Sequence, residues 1–115
     1  MQVVNLIKNQ STGYVSSSVP APGYNRAQTD TFKPSSPGMS IYVSGTIGGA
    51  SILIEVSQDP PSLPDSDSNW ATLDTLTAVG VTRFQVDALK MRASITGGSG
   101  TSVSVDAVSL WLGSN

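Results

Sequence analysis

Apolar and polar positions alternate with a period of two through most of the chain. From Met39 the pattern is sharp. Ile41, Val43 and Gly45 alternate with Tyr42, Ser44 and Thr46, Gly48-Gly49 makes a turn, and Ile52, Ile54 and Val56 alternate with Leu53, Glu55 and Ser57. These two runs read as a hairpin. Asp59 to Asn69 is a polar loop whose Pro60, Pro61 and Pro64 cannot continue a central strand. Trp70–Thr77 is the next strand, with Trp70, Leu73 and Leu76 as its main apolar groups and an imperfect alternation that predicts a bulge. Val81–Val86 follows, with Phe84 and Val86 on one face. Lys90–Thr96 then puts Met91, Ala93 and Ile95 inward and Arg92, Ser94 and Thr96 outward. After the loop Gly97-Gly98-Ser99-Gly100, Thr101–Leu112 is the last strand. Val103 and Val105 face one way, then Val108, Leu110 and Leu112, a parity change near Asp106-Ala107 that predicts a bulge or a crossing between sheets.

The first third is less regular. Gln2–Ile7 is a short apolar run, Gly13–Val19 and Gln28–Phe32 are candidate strands, and Pro20 to Gly38 holds four of the seven prolines. That stretch reads as surface loops or an extended arm. No window carries a helical apolar pattern over three turns. Short strands separated by turn signals predict an all-β fold of about eight strands: one antiparallel β-sandwich domain over 1–115, jelly-roll-like or barrel. Within it, 1–38 is the loop-rich arm with early strands and 39–115 a core meander.

Composition narrows the chemistry. At 115 residues the chain is one domain by length and long enough to bury a core without staples. There is no cysteine and no histidine, which removes disulfides, thiolate metal sites, Ser-His-Asp triads and the commonest zinc ligand. Charged residues are 12% of the chain, about half the usual share. Ser and Thr, 29 residues together, fill the gap. The six Lys and Arg are scattered, so no nucleic-acid footprint is expected. No segment approaches the roughly 20 apolar residues that span a bilayer, so no membrane partner is expected. The N-terminus lacks the basic region and apolar length of a secretory signal.

Three features invite chemistry. Asp59, Asp65, Asp67 and Asp74, with Asn69, crowd one region and could offer oxygens to a loop calcium. Their spacing does not follow the D-x-D-x-D-G loop, and the plain reading is a solvated loop in which Asp and Ser cap turns. No cofactor is expected. Carboxylate pairs such as Glu55 with Asp59, or Asp65 with Asp67, lack a visible cleft for glycoside hydrolysis. The glycine loop at 97–100 lacks the lysine and the strand-loop-helix context of a phosphate cradle and reads as a hairpin loop. An enzyme is the weakest reading of this chain.

The run IEVSQD, SNWATLDTLTAVGVTRFQV, LKMRASIT resembles a pattern of small bacteriophage virion proteins. It carries a strand ending in Ser-x-Asp (Ile54 to Asp59), a W-x-x-L strand (Trp70 to Leu73), Gly80 with Arg83-Phe84, and Met91 to Thr96 before a Gly/Ser turn. The family is the jelly-roll decoration, or cement, proteins of tailed-phage heads and related head or tail accessory domains, and the resemblance covers about residues 40–112. It implies a structural protein on the outer capsid surface of the virion that bridges neighbouring major capsid subunits as a homotrimer. On that reading the subunit and capsid contacts are the N-terminal arm, with Val3, Val4, Leu6, Tyr14 and Tyr24, and the outward Trp111 of the last strand. The alternative is a carbohydrate-binding module of a fibre or baseplate, which needs exposed rings such as Trp70 or Tyr42 beside Asp or Asn.

Overall fold

The computed structural model describes residues 2–21, 38–85 and 88–109. They form eight strands: β1 (Gln2–Gln10), β2 (Val19–Pro20), β3 (Gly38–Thr46), β4 (Ser51–Ser57), β5 (Ala71–Leu76), β6 (Gly80–Gln85), β7 (Lys90–Thr96) and β8 (Ser102–Ser109). Two four-stranded antiparallel sheets result, with orders β1-β8-β3-β6 and β2-β7-β4-β5. Only β4 and β5 are consecutive strands that pair; every other connection passes from one sheet to the other. This is the strand order of an eight-stranded jelly roll.

The period-two pattern explains the layers. Met39, Ile41 and Val43 of β3, Ile52 and Ile54 of β4, Met91, Ala93 and Ile95 of β7, and Val103, Val105 and Ala107 of β8 are all buried between the sheets. Each strand gives one face to the same core, and that burial is the main stabilising term. Leu76 closes the β5 side, and Val4, Val19, Ile47, Val56 and Phe84 pack around the margin.

Four expectations need correction. The runs at 39–46 and 51–57 are not a hairpin, and 39–115 is not a meander: β3 pairs with β6 and β8, whereas β4 pairs with β5 and β7. The Gly48-Gly49 turn is an arch between sheets. The glycine loop at 97–100 is likewise an arch, from β7 to β8, and the two arches pack together. Ser99 N–H donates to Gly48 O at 2.9 Å, and Ile47 O accepts both Ala50 N–H and Thr101 Oγ1–H at 2.9 Å. Third, β8 changes no parity at Asp106-Ala107. It runs in unbroken register with β3, and small Ala107 simply continues the inward set. The register shifts fall on β1, at Asn5/Ile7 and Ile7/Gln10, so that Leu6 and Ile7 are both buried. Fourth, β1 is no arm: it pairs along β8 from Gln2 to Gln10.

The bulge expected in the Trp70–Thr77 strand is present. Ile54 lies opposite Asp74 and Glu55 opposite Thr72, so Leu73 is the extra residue. The segment before β2 follows β7: Gly13 N–H donates to Ile95 O, Ile95 N–H to Tyr14 O and Ser16 N–H to Ala93 O, all at 2.8–2.9 Å. Here the Ser16 hydroxyl takes the place of a ladder carbonyl, accepting Ala93 N–H at 2.9 Å. The candidate strand Gln28–Phe32 lies outside the described residues.

Candidate docking face

The outer face of the β1-β8-β3-β6 sheet carries three of the exposed apolar side chains, Val3, Tyr42 and Val81. Register fixes the rows, because directly opposed residues share a face. One row runs Val3, Val108, Ser40, Arg83, and the next runs Asn5, Asp106, Tyr42, Val81. Val3 is 63% exposed, Tyr42 45% and Val81 56%. Between them the carboxylate of Asp106 accepts from Asn5 Nδ2–H at 2.7 Å. Asn9 and Ser104 exchange two further bonds, at 3.0 and 3.2 Å. The surface is apolar groups in a field of hydroxyls and amides, with Arg83 at its margin.

The anticipated contact residues scatter. Val3 sits on this face. Val4 packs against the core margin, and Leu6 is buried by the β1 bulge and has no outward surface to offer. Tyr14 is exposed, but beside β7 in the other sheet. Tyr24 and Trp111 lie outside the described residues. Val81 was missing from the anticipated set. Its place on the face follows from the β3–β6 register, which local alternation does not contain.

The outer face of the second sheet is covered in part by a polar strap, the loop from Gln58 to Trp70. Beneath it lies Lys90, a fully buried lysine on the outward side of β7. Its ammonium donates to Leu63 O at 2.8 Å and Ser68 Oγ at 2.5 Å, with Asp65 Oδ1 at 3.5 Å. All three N–H groups have a partner, which is what makes burial of the charge tolerable. Asp65 also accepts from the backbone N–H and the hydroxyl of Ser18, at 3.0 and 2.6 Å. Chiefly through the Ser18 hydroxyl, its carboxyl is held below the ordinary aspartate value; the Ser18 backbone N–H and the Lys90 charge add to this, and partial burial opposes it. Trp70 closes the strap. Its indole N–H donates to Asp65 O at 3.0 Å, and its ring stacks on Arg92 at 4.2 Å and lies 5.5 Å from Lys90. Arg92 in turn pairs with Glu55 directly across from it, at 2.8 Å.

This arrangement disperses the acidic residues. Asp59 accepts from Asn69 N–H at 2.6 Å and borders a shallow depression with Val56, Ser57, Gln58 and Ala71. Asp74 bonds Thr75 N–H on β5. Asp65 is committed to Ser18 and Lys90. Among the described residues no three Asp, Glu, His or Cys side chains converge as a metal site would need. Trp70 has its ring against Arg92 and its N–H on the strap.

No protein-family model, curated protein or solved structure matches this chain.

Proposed function

We propose that this chain is a structural virion protein that decorates a bacteriophage capsid and stabilises it by bridging neighbouring subunits of the major capsid protein. The observation that carries the reading is the outer face of the β1-β8-β3-β6 sheet. Val3, Val108, Tyr42 and Val81 form one low-charge surface on a rigid jelly roll. The fold has the type that the resemblance implies, and the sparse charge suits burial against protein, where an unpaired ion would be costly. Many copies on one shell turn modest affinity at each into firm retention. The reading assigns the chain no reaction.

Co-sedimentation with expanded heads of the encoding phage tests it. The chain should bind the heads and raise the temperature at which they break. Tyr42→Asp and Val3→Asp, both at exposed positions, should fold normally and weaken binding at least tenfold. Glycan binding that is lost with Tyr42→Asp, in a protein without affinity for heads, would instead select the carbohydrate-binding reading.

A further inference from the structure

The strand edges of this sandwich are not equivalent, and their differences point to a contact between copies. An exposed edge invites strand pairing unless something interrupts it. Three of the four outermost strands among the described residues carry an interruption. On β1 there are two register shifts and a left-handed Asn9 at φ 50. On β2 there are only two residues, the second of them Pro20, which has no N–H to donate. On β5 the extra residue Leu73 kinks the strand, and Asp74 follows it. The fourth, β6, carries a positive φ only at its first residue, Gly80 (φ 139). Its six residues pair with β3 in sequence without a shift, and Arg83 is its one charged residue.

The sequence of β6 is also self-complementary. In an antiparallel pair of two β6 strands related by a two-fold axis, opposed residues must share a face. Centring the pair on Thr82 places Thr82 opposite its own copy, Val81 opposite Arg83 and Gly80 opposite Phe84. Each pairing is favourable. Threonines facing one another are good cross-strand neighbours, and the aliphatic stem of arginine covers valine. At Gly80 an added Cβ would meet nothing within 4 Å, so there is open space for the Phe84 ring of the second copy. Centring on Arg83 would set two guanidinium groups face to face, and centring on Val81 would leave Phe84 and Gln85 beyond the partner's strand.

We propose that two copies of this chain join edge to edge through β6, in antiparallel register centred on Thr82, so that their β1-β8-β3-β6 sheets become one continuous sheet. The contact rests on the same sheet as the docking face and doubles that face on one side of the pair. It is a closed two-fold contact, in place of the threefold association that the resemblance implies.

Light scattering, together with single-cysteine cross-linking in this cysteine-free chain, tests the proposal. The wild type should be a dimer. Thr82→Cys should form a disulfide-linked dimer on mild oxidation, because opposed Cα atoms in an antiparallel pair lie about 4.5–5.5 Å apart, within disulfide reach. Val81→Cys, which faces Arg83 and not itself, should not. Val81→Arg should give monomers by opposing like charges, and Val81→Arg with Arg83→Glu should restore the dimer. A monomeric or trimeric wild type, equal cross-linking at positions 81 and 82, or no rescue by the double change would overturn the proposal. Head binding by a monomeric chain would overturn this contact while leaving the capsid reading intact.

Discussion

Lys90 is the residue on which the second sheet's outer layer depends. A fully buried ammonium is costly unless every N–H is engaged, and here a carbonyl, a hydroxyl and a carboxylate engage it. Lys90→Met keeps the volume and removes the bonds. It should lower stability by about 1–3 kcal/mol, the usual worth of a hydrogen-bonded charge, measured by urea unfolding. Asp65 is the matching anion. Its carboxyl is depressed in the folded state, first by the Ser18 hydroxyl. Its contribution is therefore fully present above the ordinary aspartate range and is lost as pH falls through the lowered value. Asp65→Asn should flatten the acid limb of the stability profile below that range and leave the slope at neutral pH unchanged. An unaltered acid limb would show that Asp65 does not hold the strap. Little of this cluster was legible in the sequence. Lys90 reads as one more outward residue of a strand, and its partners come from a loop that local patterning marks only as polar. The one hint is Trp70, a large ring at the end of a Pro/Asp/Ser loop that must find cover.

At the level of elements, the arches decide the topology. Gly98 has φ +77, and a Cβ there would meet the Ala50 backbone nitrogen at 2.6 Å. Gly13 has φ +96 with nothing within 4 Å. Gly13→Ala should therefore cost only the backbone term of about 1–2 kcal/mol. Gly98→Ala should cost clearly more, because the two arches must separate, and thermal unfolding of both variants ranks them. Strand positions were legible from period-two alternation, and the β5 bulge from its broken pattern at Leu73. Partnership was not. An alternating run looks the same whether the next strand pairs with it or arches over it, and Gly48-Gly49 suits either path. The parity change read into β8 had a similar origin: Val108 outweighs Ala107 in hydrophobicity, yet the small residue is the one that faces the core. Gln2–Ile7 read as a short apolar run, and its pairing along β8 as far as Gln10, through two register shifts, is a long-range fact that local alternation does not contain.

The whole molecule is a jelly roll with one sheet face clothed by a strap and the other face bare of such a cover among the described residues. That asymmetry gives the molecule a direction: the strapped side carries its charged pairs internally, as Lys90 with Asp65 and Arg92 with Glu55. The bare side presents Val3, Val108, Tyr42 and Val81. Association through such a face should depend weakly on ionic strength, since few charges take part. Affinity for heads should change less than about threefold between low and high salt, whereas a charge-steered contact would weaken steeply. A face assembled from four strands could not be found from any one of them; Tyr42 was visible as an outward ring, but its neighbours Val81 and Val108 join it only through register.

The most direct test of the proposed capsid-bracing account is quantitative binding of the wild type and Tyr42→Asp to expanded heads of the phage from which that account derives the chain, with the fold of each checked by circular dichroism. The account predicts saturable binding of the wild type, heads that survive higher temperature when decorated, and a folded Tyr42→Asp chain that stays in the supernatant. A folded wild-type chain that leaves the heads unbound and their breaking temperature unchanged would contradict it.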